Sequence, residues 1–529
     1  MWTSPATLDI AIVLAALAFV WRVFRRSNRN ASFPPGPKGL PVIGNLFDMP
    51  TEKEWLTFAK WGEKYGDIVS VGILGQRLVV LNSAQMAISI LDKKSSIYSD
   101  RPVVGMGGEL VGWKNSLPLM PYGARFRNHR RLAHQLFGTN ITMSQFLPML
   151  ELETRRSLKR ILTRPEELSE HIRKTAGAII LQISHGYAIQ EENDPFIELA
   201  ERTMNQFSLS TASGGFLANL VPILTRVPDW LPGAGFKRTA REWASTLNDF
   251  VEKPYNYVKQ EMAAGTARHS LTSSQLEGEV TAEEEYDVKW LASALYAGGA
   301  DTTVASIYAF FKAMLLYPDI QAKAQAEIDA VIGNDRLPRF DDREHLPYVN
   351  ALALEVTRWH TVGPTGLPHC VTEDDVQSGY FIPKGSLVYA NIWKMLHDPA
   401  VYDQPFEFKP ERFIRTEAKE PELDPHKLAF GFGRRVCPGR ALADASIFIS
   451  CAMALSVFNI SKYSEDGVTS EPDTEHTAGT IRQEISLLCL GMTFLTVPLV
   501  SFSHPTLFKC AIKARSDKAL GLINEERFD

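Results

Sequence analysis

Cysteine is scarce in this chain. Cys370, Cys437, Cys451, Cys489 and Cys510 are scattered over 529 residues. None forms a C-x-x-C pair or a zinc-like cluster with histidine, which excludes a metal finger. A set so sparse and odd in number suits a reducing compartment, not a disulfide framework. Gly/Ser linkers and internal repeats are also missing, so the length is read as one large domain rather than several. No basic stripe runs along the chain and net charge is −5, which argues against nucleic acid as a partner. A nicotinamide or flavin fingerprint is lacking too. Gly431-Phe432-Gly433 is only G-x-G, without the third glycine or the strand–helix setting that the motif needs.

What is present is an ordinary globular composition, 45% hydrophobic and 22% charged, enough for a sizeable core. Ile10 to Trp21 is unbroken apolar sequence, and Thr7 to Phe24 is interrupted only by Asp9 and Arg22. That is near the lower limit for spanning a bilayer. Arg22, Arg25, Arg26 and Arg29 follow it and no Lys or Arg precedes it, which predicts a lumenal N-terminus and a cytoplasmic domain. A cleaved signal peptide would need a basic n-region and a small-residue cleavage site, and neither is evident. Residues 1–26 are therefore read as a membrane anchor and 27–40, with Pro34-Pro35-Gly36-Pro37, as a stiff hinge. The domain is expected over 41–516, with 517–529 a loose polar tail. Within it, Ile68–Val71 and Leu78–Leu81 read as a hairpin and Gly379–Asn391 as a second strand-rich patch. Gly265 to Glu285 reads as a polar connector, and most of the remainder is helical in period.

The run from Phe430 to Gly439, FGFGRRVCPG, is the most informative. Its glycines let a tight loop approach a flat group closely. Arg435 offers a fixed fork for a carboxylate. Pro438 and Gly439 open an apolar helix from Ala441 to Phe458. A thiol at that helix N-terminus is expected to have a lowered pKa and to be held as thiolate. Alone, Cys437 would read as a buried free cysteine; its surroundings reverse that. Phe430, Gly433, Arg435, Cys437 and Gly439 match F-x-x-G-x-R-x-C-x-G, so the chain resembles the haem-thiolate monooxygenases, the cytochrome P-450 family. The resemblance implies a mainly α fold, the family's helical prism with a small β-sheet region. It also implies haem b (iron protoporphyrin IX) with Cys437 as the axial iron ligand, and Phe430, Arg435 and Gly439 around it.

Three further motifs carry the resemblance. Lys289 to Tyr317 is apolar nearly all round, yet its centre reads Ala297-Gly298-Gly299-Ala300-Asp301-Thr302-Thr303. Paired glycines cost about 1 kcal/mol each in a helix, and an acid there adds a desolvation cost. A membrane span packed through small residues is the rival reading. By resemblance this is the oxygen-activation segment, with Thr302 hydrogen-bonding the activated oxygen and Asp301 relaying protons. Glu355-x-x-Arg358 lies on one helical face and, with Arg412, would form the family's buried triad locking the Cys437 loop. Tyr122 to Arg131 is a basic cluster in which the family shows W-x-x-x-R. Arg130 is kept as a propionate partner, but Phe126 stands at the tryptophan and has no N–H to give. His369 is read either as a third propionate partner or as a satisfied structural histidine.

One stretch departs from the pattern. Gly479-Thr480-Ile481 and Ser503-His504-Pro505 are separated by residues 482–502, whose apolar core is long enough to resemble a second span. The insertion is read as a retained intron or as a new hydrophobic flap; a second span would put Ser503 onward across the membrane from its core.

Together the resemblance implies a single-pass protein of the endoplasmic reticulum with its domain in the cytosol. It would take O2, an apolar small-molecule substrate and electrons from NADPH-cytochrome P-450 reductase. The wording is closest to fungal secondary-metabolism members, with terpenoid-like substrates expected. The loop Trp230 to Phe236 either dips into the bilayer or is an ordinary apolar loop. A haem-thiolate isomerase or dehydratase, and a non-enzymatic haem-binding protein, are the alternatives; the first has no need of Asp301-Thr302.

Overall fold

Two short segments of distant sequence build the sheet that carries part of the candidate site. In this computed structural model, which describes residues 31–212, 215–465, 468–469, 476–478 and 502–525, β1 (Ile68–Ile73) and β2 (Gln76–Leu81) pair antiparallel as expected. Leu74 and Gly75 join them, both at positive φ, the geometry a two-residue hairpin needs. β3 (His369–Cys370) and β4 (Leu387–Ala390) complete the order β1-β2-β4-β3. β4 runs parallel to β2, with Leu78 beside Leu387.

Helices make up the bulk of the domain. They include α1 (Ala124–Phe137), α2 (Leu168–His185), α3 (Pro195–Thr211) and α4 (Phe236–Ala264). α5 (Ala282–Leu316), α6 (Pro347–Trp359) and α7 (Arg440–Val457) follow. α5 starts seven residues before the sequence pattern suggested, because Thr281 and Glu284 close a capping box on its first turn and Glu283 and Glu285 sit at its positive end. Leu291, Phe310, Phe311 and Met314 of α5 are 2% exposed or less, and each such burial contributes about 1.5–3 kcal/mol. α5 packs against α2, α6 and α7. Among the described residues α7 alone is long and apolar enough to cross a membrane, but two-thirds of it is buried; it is a core helix.

Two expectations need correction. The tail is not loose over Asp517–Asn524: Ser516 caps a helix there, α8, whose Ala519, Leu522 and Ile523 are buried. The polar connector holds a short helix, Leu271–Gln275, with Leu271, Thr272 and Ser273 buried. The Pro-rich stretch docks on the domain: the Pro34 and Pro35 carbonyls accept from Ser70 and the Ser32 carbonyl accepts from the Phe381 N–H. A Cβ on Gly36 would fall 2.1 Å from the Ser70 carbonyl oxygen. The anchor residues 1–26 lie outside the described residues.

The C-terminal strands are β5 (Phe458–Lys462), β6 (His476–Ala478), β7 (Ser503–Pro505) and β8 (Cys510–Ala514). β8 pairs with β5, and β6 pairs with β7 in register from Ala478 beside Ser503. Apart from Phe502, the 482–502 segment lies outside the described residues. Its flanks close as a hairpin, and Ser503 and His504 are buried in the same core as α5.

Candidate active site

The Cys437 loop is held by its own backbone. Cys437 N–H donates to the Phe430 carbonyl at 2.8 Å, closing the loop over a one-turn 3-10 segment, Gly433–Arg435. Gly431 and Gly433 have φ of 78° and 58°. A Cβ on Gly433 would lie 2.1 Å from the Leu91 carbonyl oxygen, so only glycine fits there. Asp92 accepts from the Gly433 N–H.

α7 begins three residues after Cys437, with Gly439 as its N-cap. The expected lowering of the thiol pKa is not what the structure gives. Burial pushes the Cys437 thiol up, and the Gly439 N–H, Arg130 and Arg440 offset this only in part. The fields of the protein alone therefore do not hold the anion. A metal cation does so outright on coordination. Cys437 lies deep within the protein yet exposes surface, so that surface faces interior space.

The opposing wall is the break in α5. Within a helix buried on nearly every side, Gly298 is exposed and Gly299, Ala300, Thr302 and Thr303 are partly so. Gly299 and Thr303 share a small cavity with Leu442 and Ser446 of α7, so the break sits against the helix that Cys437 leads into. Thr302 Oγ1 donates back to the Gly298 carbonyl at 2.7 Å, which leaves its lone pairs as acceptors. Asp301, one position earlier and about 100° around the helix, is buried and turns to His504, with Oδ2 3.3 Å from Nε2. Burial alone would raise the Asp301 pKa, but His504 and Arg173 outweigh it and lower it.

A cluster of cations lies beside the loop. Arg130 Nη1 donates to the Val436 carbonyl at 2.6 Å. Arg435 Nε and Nη2 donate to the Ser99 and Met120 carbonyls, and its guanidinium carbon lies 3.8 Å from the Phe126 ring centroid. The residue at the tryptophan position thus serves as a platform for Arg435, a cation–π contact, rather than as a donor. His369, on β3, is buried, with Nδ1 2.6 Å from the Tyr98 carbonyl. Burial, helped by Arg101 and Arg435, pushes it down to about 3, so it is neutral at pH 7. Arg101 went unrecognised in the sequence. It is buried and gives three hydrogen bonds, to the Pro118, Leu367 and Pro368 carbonyls. Only tertiary folding marks it, since no periodicity or motif surrounds it.

These residues fit haem. Arg101, Arg130 and Arg435 place three buried or half-buried cations in one neighbourhood, where Asp100 is the carboxylate acting on Arg101 and Arg435. That positive excess suits a dianion with two carboxylates, next to a thiol that needs a cation.

The triad forms as expected, fully buried. Arg358 Nε and Nη2 meet Glu355 at 2.7 and 2.9 Å, and Arg412 Nε meets it at 3.1 Å. Arg358 also donates to the Leu396, Pro405 and Glu407 carbonyls, which pins that segment to α6.

Comparison with known proteins agrees with this geometry. A family model described as Cytochrome P450 matches residues 34–489. The chain is 50% identical over 514 residues to Cytochrome P450 monooxygenase 208 of Postia placenta, covering 97% of this chain and 96% of that protein. It is 47% identical over 522 residues to Cytochrome P450 monooxygenase claR of Ampulloclitocybe clavipes, covering 98% and 93%. Cytochrome P450 monooxygenase ppsD of Aspergillus oryzae is 41% identical over 456 residues, covering 85% and 86%.

Proposed function

Because the chain belongs to the cytochrome P450 family, we propose that it is a membrane-anchored monooxygenase that inserts one oxygen atom from O2 into an apolar, terpenoid-like molecule of fungal secondary metabolism. The family is one of haem-thiolate oxidoreductases, and haem, when bound, supplies the oxygen-activating chemistry. In this reading Cys437 would be the iron ligand, with its backbone fixed by the Phe430 carbonyl. Arg130 and Arg435, with Arg101 behind them and neutral His369 alongside, hold the two propionates. Thr302 would offer its hydroxyl to the group's distal side, and buried Asp301 would hold and return a proton beside it. Electrons come from a separate NADPH-dependent reductase.

The observation that carries the reading is the juxtaposition of two costly features. A helix break at Gly298–Thr303 is set against the helix entered from a loop that demands glycine at position 433 and ends in a free thiol. The anchoring part rests on the arginine-flanked apolar N-terminus, with the domain on the cytosolic face of the endoplasmic reticulum. Trp230, Leu217 and Ile223 add support, being 80%, 63% and 60% exposed in and around the loop before α4. Such apolar surface suits the headgroup boundary.

The test is co-expression with a reductase and candidate terpenoids under isotopically labelled O2. One labelled oxygen in an NADPH-dependent product supports the proposal. Rearranged or dehydrated product without label favours an isomerase or dehydratase, and haem binding without turnover favours a carrier.

A further inference from the structure

The Ser503-His504-Pro505 strand delivers an imidazole to the one acid in the middle of α5. β7 is pinned at its backbone: Ser503 N–H donates to the Val362 carbonyl at 2.8 Å, and the Ser503 carbonyl lies 3.0 Å from His360 Nε2. β6 pairs along it, with Thr477 beside His504. His504 is wholly buried, and its Nε2 reaches Asp301 Oδ2. On its other side Asp301 opens on a cavity of about 300 Å³ between α2, α3 and α5. Arg173 and Glu201 stand in that cavity, 3.9 Å apart. The charged and titratable groups facing Asp301 are thus His504 from β7, Arg173 from α2, Glu198, Glu201 and Arg202 from α3, and Tyr296 earlier on α5.

A buried carboxyl left to itself stays protonated and idle, because desolvation disfavours its charge. A proton relay needs the opposite: an acid that gives up its proton and is ready to take the next from water. The cavity supplies the water side and His504 supplies the charge or hydrogen bond that keeps the acid ionised. We propose that His504 is the positioning residue of Asp301, holding its carboxylate ionised and aimed between the Arg173 cavity and Thr302. The inference rests on the monooxygenase reading for its purpose, but the pairing is testable without turnover.

The experiment is pH-difference infrared spectroscopy of the full-length, haem-loaded protein in detergent. The protonated carboxyl band of Asp301 is identified by its loss in Asp301→Asn. His504→Phe removes charge and hydrogen bond; His504→Gln keeps a donor without the charge. In His504→Phe the pH at which Asp301 takes up its proton is expected to rise by at least about one unit, a tenfold change in proton affinity, with His504→Gln between it and wild type. With reductase present, the share of NADPH electrons released as hydrogen peroxide should rise in the same order. An unchanged Asp301 midpoint in both variants overturns the proposal. Loss of the fold in both overturns it as well, by making the imidazole a plain support. Failure of the monooxygenase reading shows separately, as a missing thiolate band in the wild type's carbon monoxide spectrum.

Discussion

Removing Glu355 should cost this protein more than any surface charge could. Its two carboxylate oxygens accept from Arg358 at 2.7 and 2.9 Å, from Arg412 and from the Lys409 N–H at 2.7 Å. Glu355 and Arg358 are completely buried, and Arg412 is 3% exposed. In Glu355→Ala two guanidinium groups lose their common counter-charge inside the protein. Breaking one buried pair costs about 3–5 kcal/mol; Arg358 bears that loss, whereas Arg412 keeps Glu422 at 2.7 Å. Set against a total stability of about 5–15 kcal/mol, that removes a large part of the margin. Through Arg358 it also frees the Leu396–Glu407 carbonyls that fix the segment ahead of Cys437. The assay is the ratio of haem absorbance to purified protein, followed by the urea unfolding midpoint. Asp249→Ala, which breaks an exposed i,i+4 pair with Lys253, serves as control and should change stability by less than about 0.5 kcal/mol. Glu355→Ala is expected to yield at most a tenth of the wild-type haem-loaded protein. An unfolding midpoint equal to that of the control would refute the reasoning.

Two further outcomes follow from single groups. Gly433→Ala forces a Cβ to 2.1 Å from the Leu91 carbonyl oxygen at φ 58°, so the loop must shift; haem content should fall several-fold, and retention of wild-type content would contradict the glycine-only geometry. His185 is held neutral by burial, its pKa pushed down to about 3 from 6.5. Between those values the unfolded chain binds the extra proton, so this contribution is complete above pH 6.5 and is lost as pH falls toward 3, at about 1.4 kcal/mol per pH unit. Urea midpoints at pH 7 and pH 5 should fall less in His185→Gln than in wild type, and identical falls would exclude the histidine as the source.

Much of this was legible in the chain because the motifs concentrate local oddities. A glycine pair and an acid inside an apolar helix break a local rule, while glycines in a tight loop and a glutamate three residues from an arginine are motifs with a fixed spacing, and each sits where the fold uses it. The hairpin was legible too, since Leu74-Gly75 between two apolar runs leaves little else to form. What escaped notice depends on distance in space. Arg101 has no motif, and its worth comes from carbonyls contributed by residues 118, 367 and 368. His504 was visible only as part of a family word, and its partner lies 203 residues earlier. The helix-dipole argument for Cys437 failed for a physical reason: the few N–H groups at a helix start do not match the desolvation of a deeply placed thiol. Phe126 read as a lost donor, whereas packing made it the stacking partner of Arg435. The tail read as loose because its charges are evident in sequence, while Ala519, Leu522 and Ile523 find their burial only against the folded domain.

Every functional statement returns to the sulfur of Cys437 and what it binds. The direct measurement is the carbon monoxide difference spectrum of the reduced, haem-loaded protein, beside the same spectrum of Cys437→Ser. The account predicts the red-shifted Soret band of thiolate ligation in the wild type and its disappearance in the variant. A wild type without that band, or a serine variant that keeps it, would contradict the assignment of Cys437 as the iron ligand.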